Sequence, residues 1–156
     1  MAVPERTSSE PAAAPPAPDA AGSNSLAPDD AGSDIELTLP ADPVHVPVAR
    51  ALAADLAVRL DYDLDEVSDL RMAVDEACAE LVAKAAGPGR LRCVFQVDED
   101  ALRVTVSAST KDGATPGQNT FGWRVLTALV DEVTAWASGD NIVHIKLVKY
   151  RLEAHA

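Results

Sequence analysis

Glu76, Glu80 and Lys84 recur every fourth residue in the stretch DLRMAVDEACAELVAKA, residues 69–85. At about 100° per residue they form one stripe along a helix. The stripe borders an apolar arc that includes Leu70, Val74, Cys78 and Leu81. A carboxylate at the border of a buried face is where a raised pKa and base chemistry arise. That makes a catalytic and metal-binding row one reading of the stripe. The other is an ion-paired flank, with Glu80 and Lys84 joined at i,i+4 for a few tenths of a kcal/mol and Glu76 solvated. Spacing alone favours the flank, with Glu80 and Lys84 expected to act as a pair.

The row needs a scaffold, and the flanking sequence supplies one. DIELTLPAD alternates Ile35, Leu37 and Leu39 against polar neighbours, the period of a half-buried strand. VPVARALAADLAVRLDYD places Val48, Leu52, Leu56 and Leu60 at four-residue steps behind Pro47, a helix with proline in its first turn. The helix carrying the row follows and is expected to end at Gly87-Pro88-Gly89. RLRCVFQVDED and ALRVTVSAS read as an antiparallel hairpin, and TKDGATPGQNT as a loop. FGWRVLTALVDEV groups Val125, Leu126, Leu129 and Val133 at helical spacing, and VTAWAS with NIVHIKLVKYRL forms a second hairpin turning at Gly139-Asp140-Asn141. The order β-α-α-β-β-α-β-β, with helices gathered on one face of a mainly antiparallel sheet, makes an α+β two-layer sandwich.

The chain has 156 residues. Residues 1–33 hold six of the eleven prolines and no aromatic residue, a composition expected to stay disordered. Residues 34–156 then form a single domain. Net charge is −12, and the first 33 residues carry five acids against one Arg. So acidic a domain argues against direct nucleic-acid binding and suits a basic protein partner as well as plain solubility. No apolar run approaches the roughly 20 residues of a membrane span, and the N-terminus lacks the apolar core of a signal peptide. A cytoplasmic protein is expected. Cys78 and Cys93 fall in an apolar helix and an apolar strand, where reduced, buried thiols are expected. The three histidines are scattered, with no metal-ligand spacing.

AVDEACAELVAKA, FGWRVLTALVDEV and the closing IVHIKLVKY together resemble the anti-sigma-factor serine kinases, a family within the ATPase superfamily of gyrase and histidine kinases. RMAVDEAC and LTALVDEV are the most specific pieces, and the match is close to the actinobacterial stress and sporulation subgroup. The resemblance runs from residue 35 to about 151 and implies the histidine-kinase-type ATPase fold. The family's first ATP motif is a Glu that deprotonates the attacking hydroxyl, an Asn four residues on that ligates Mg2+, and a His four further. Glu76 keeps the base position, while Glu80 stands at the Asn position and Lys84 at the His position. Glu80 is an oxygen donor of the kind Mg2+ takes, but it brings a negative charge toward a triphosphate. The adenine-binding Asp and the Gly two residues later correspond to Ala108 and Thr110. Of the Gly-x-Gly that holds phosphates at a helix N-terminus, only Gly122 survives, with Thr120 in place of the first glycine.

The resemblance therefore implies an anti-sigma factor with a degenerate ATP site. Such a protein binds and inhibits an alternative sigma factor and releases it when an anti-anti-sigma protein competes. A homodimer is the expected assembly. No bound cofactor is expected, with ATP and Mg2+ as the pair the site would take if it still functions. The alternative is an active protein serine/threonine kinase, with Glu76 as base and the anti-anti-sigma protein as substrate.

Overall fold

The computed structural model describes residues 34–151; the expectation for residues 1–33 lies outside them. Five strands form one antiparallel sheet: β1 (Asp34–Pro40), β2 (Arg90–Val97), β3 (Ala101–Ser109), β4 (Glu132–Ser138) and β5 (Ile142–Tyr150). Their order across the sheet is β1-β2-β3-β5-β4. Helices α1 (Val46–Arg59), α2 (Leu64–Lys84) and α3 (Phe121–Leu129) complete the fold. The element order is the expected one, with short 3-10 turns at Pro43–His45 and Gly139–Asn141 added.

Period-two alternation decides which residues form the core. Leu91, Cys93 and Phe95 of β2 face Ala108, Val106 and Val104 of β3, which face Val143, Ile145 and Leu147 of β5. All but Ala108 are fully buried, and they pack against Leu70, Val74, Cys78 and Leu81 of α2. Cys78 and Cys93 meet across this layer and hydrogen-bond to each other. That bond and burial push the Cys78 thiol up, so it packs as a small apolar group.

The helix boundaries have local causes. Asp63 caps α2, its Oδ1 accepting from Glu66 N at 2.8 Å while its own N–H donates to Glu66 Oε1 at 3.0 Å. This reciprocal capping satisfies two otherwise unpaired amides and explains why Glu66 is buried. The helix ends at Lys84, ahead of the expected glycine stop. Ala85 instead bridges to Thr110, and Ala86 N–H donates to the Ser109 carbonyl, so sheet pairing claims the chain first. Helix α3 is likewise shorter than its apolar spacing suggests. Val133 belongs to β4, because Asp131 N–H already donates to the Val148 carbonyl at 2.9 Å. Among the described residues no helix is long and apolar enough to cross a membrane.

Candidate functional site

The capped α2 carries Glu76 and Glu80 on one edge, and α3 brings its first turn down upon them. Thr120 caps α3, its Oγ1 accepting from Trp123 N at 3.1 Å and donating to the Gly117 carbonyl at 3.1 Å. Trp123 and Leu126 anchor the helix in the core. This seating presses Gly122 against both carboxyls. A methyl group on Gly122 would overlap Glu80 Oε2 and stand 2.5 Å from Glu76 Oε2. Two acid tips therefore lie at the N-terminal turn of α3, where the helix dipole favours negative charge.

Burial raises the pKa of Glu76, and the adjacent charge of Glu80 and a hydrogen bond between the two carboxyls raise it further. The native state thus retains a proton on Glu76 at pH values where the unfolded chain has lost it. Stability from this group is complete below the ordinary glutamate pKa and is lost as pH rises through the raised one. Glu76→Gln is expected to remove that decline. In urea titrations the variant should be more stable above the window, by about 0.5 kcal/mol, the scale of a like-charge i,i+4 pair. At pH 4 it should match the parent.

The ion-paired flank is not what forms. Among the described residues no ion pair joins Glu80 to Lys84. Glu80 turns toward Gly122 and Glu76, and Lys84 sits in the last turn of α2, where its carbonyl accepts from Lys111 N–H at 3.2 Å. The Lys84 backbone thus lies by the Thr110 end of β3.

The other positions implied by the resemblance are occupied by structural contacts. Ala108 lies on the helix-covered face of β3, nearly buried in the apolar layer. Thr110 is buried, with Oγ1 donating to the Asn141 carbonyl and accepting from Gly113 N–H, both at 2.8 Å. Asp112, a nearby acid, accepts from Ala114 N–H within its own turn. The structure thus brings Glu76, Glu80 and Gly122 together with Thr120 beside them, and leaves Ala108 and Thr110 as packing and loop locks.

Tested against magnesium-ATP, these residues do not fit. The space over the phosphate-type turn holds two carboxyl tips, and the adenine position offers a methyl group instead of an acceptor. A further cleft of about 300 Å3 lies between α1 and α2, walled by Pro43, Val46, Pro47 and Val82 with the 2.9 Å Arg50–Asp75 ion pair at its edge. Its one carboxylate, Asp75, is engaged by Arg50.

One constellation has no counterpart in the sequence reading. On the uncovered face of the sheet, His144 Nδ1 lies 2.6 Å from Ser107 Oγ and Nε2 lies 3.0 Å from Ser138 Oγ. Trp136 is partly exposed here and stacks on the His144 ring at 4.9 Å. The signal was present in the alternation of β3 and β5, which points Ser107 and His144 to the same side, but it required the strand register.

A model of the family described as histidine kinase-like ATPase domain matches residues 39–149. The chain belongs to that family. Among curated relatives of this domain, the anti-sigma-F factor RsbW of Mycobacterium tuberculosis is 37% identical over 107 residues, covering 67% of this chain and 62% of the relative. The serine-protein kinase RsbW of Bacillus subtilis is 38% identical over 76 residues, covering 47% and 48%. The chain thus spans less than two thirds of the length of these relatives. The crystal structure of the RsbU and RsbW domains of a Mycobacterium tuberculosis protein shares the fold, with a TM-score of 0.60 at 17% identity, covering 74% of this chain and 32% of that one. The α+β architecture expected from the sequence is the family's.

Proposed function

We propose that this domain acts by binding: it holds an alternative sigma factor inactive and yields it when an anti-anti-sigma protein competes. Its likeness to an anti-sigma-F factor and to serine-protein kinases of the RsbW type supports the class. The contact of Gly122 with the Glu76 and Glu80 carboxyls carries the choice of binding over phosphoryl transfer. The acidic chain suits a basic, DNA-binding partner, and such complementarity mainly speeds encounter. Homodimer formation and a cytoplasmic place of action belong to this reading, with no direct nucleic-acid or membrane contact.

Nucleotide provides the direct test. An intact site at one hundred times its dissociation constant would gain about 2.7 kcal/mol. For a domain of this size that is a rise in Tm on the order of 10 °C. The expected result is no shift at millimolar magnesium-ATP, no labelled phosphate on a cognate antagonist, and full inhibition of sigma-dependent transcription without nucleotide. The second reading, an active kinase, is favoured by one observation: Glu76 is kept at the base position with a raised pKa. A clear shift that Glu80→Ala reverses, together with labelled phosphate transferred to the antagonist, would establish that reading.

A further inference from the structure

The face of the sheet opposite the helices carries a trough built for an anion. Strand pairing aligns Arg92, Ser107, His144 and Trp136 in one row across β2, β3, β5 and β4. Two residues along, Arg90, Ser109 and Ile142 extend it on the same side. The resulting trough encloses about 210 Å3, with Arg90 and Arg92 on one wall, Ile142 and His144 on the other, and the serine hydroxyls along the floor. Ser107 is only 8% exposed although no helix covers this face, so the walls themselves shield it.

We propose that this trough binds a phosphate-type oxyanion, either free or as the phosphomonoester of a larger ligand. Two guanidinium groups offer planar, paired donors that match phosphate oxygens. Arg92 engages Glu36 through Nε, which leaves its terminal nitrogens for a ligand, and among the described residues no carboxylate pairs with Arg90. The histidine is pre-positioned by two hydroxyls and a stacked indole, so little side-chain freedom is lost on binding. In the tautomer with the proton on Nδ1, Ser107 Oγ accepts from the ring. Its own hydrogen is then free to point into the trough, while Ser138 donates to Nε2. The floor thereby becomes a donor, as an anion requires. Burial, and after it the charge of Arg92, lowers the pKa of His144; the positive charge of the trough comes from Arg90 and Arg92, the latter shared with Glu36. The trough exceeds the size of one phosphate group and leaves room for the atoms that carry it. It lies across the sheet from Glu76 and Glu80, so its test is independent of the sigma-factor reading.

The test is an NMR titration of the full chain at constant ionic strength, following the His144 ring C–H signals, with inorganic phosphate against chloride. A saturable shift with Kd on the order of 1 mM is expected for phosphate and none for chloride. Arg90→Gln and Arg92→Gln alter exposed side chains and leave the core intact; each should weaken binding about tenfold or more. Ser107→Ala should also weaken it, without the loss of fold that far-ultraviolet circular dichroism would reveal. Parallel titrations with a phosphoserine peptide and with AMP separate the sources, since the natural ligand's carrier adds affinity over phosphate alone. The proposal is overturned if the phosphate shift does not saturate, or if neither arginine substitution weakens it.

Discussion

Trp123→Ala should lower the unfolding free energy by about 3–5 kcal/mol, the usual range for truncating a buried tryptophan. Trp123 is 7% exposed and, with Leu126, ties α3 to the core. A nine-residue helix has little stability of its own, so its order depends on this anchor. Losing the indole should also lift Gly122 from the Glu76 and Glu80 carboxyls. The measurements are a urea titration, for the free energy, and the Glu76 pKa by NMR. The pKa should fall toward its ordinary value as the site becomes hydrated. A loss below about 1 kcal/mol would show that α3 is held by other contacts. A large loss with an unchanged pKa would separate the anchor from the carboxyl pair.

Leu81→Ala should cost about 2–5 kcal/mol through lost burial and the cavity left behind. The side chain is fully buried against the sheet, one residue from Glu80 on the same helix. Since domains of this size hold roughly 5–15 kcal/mol in reserve, the variant should remain folded but melt several degrees lower. Leu64→Ala provides the contrast. Leu64 is 83% exposed at the start of α2 and should change stability by no more than about 0.5 kcal/mol. Equal effects from both would contradict the packing described for α2.

The fold was legible because its signals are local and repeated. Alternation in β2 and β3, and the apolar steps of α1 and α2, each named an element and its buried face. The boundaries that shifted did so where long-range pairing overrides helical spacing, as at Ala85 with Thr110 and at Val133 in β4. The site was legible in part. The stripe of Glu76 and Glu80 was visible in the spacing, and Gly122 through the resemblance, but their mutual contact depends on how α3 descends on α2. That geometry also replaced the expected Glu80–Lys84 pair with a pair of carboxyls. Ser107, Ser138 and His144 were invisible as a group, because residues on three strands become neighbours only through the register of the sheet.

The seating of Gly122 on two carboxyl tips has a mechanical consequence. Most of this domain is joined through hydrocarbon, and prising those surfaces apart exposes apolar area to water. At the first turn of α3 the opposing groups are acids, which hydrate favourably once released. The turn is thus tied down by the buried Trp123 and Leu126, while its outer edge meets α2 through polar groups whose exposure to water costs less than that of hydrocarbon. The sheet and α2 form the rigid plate beneath it.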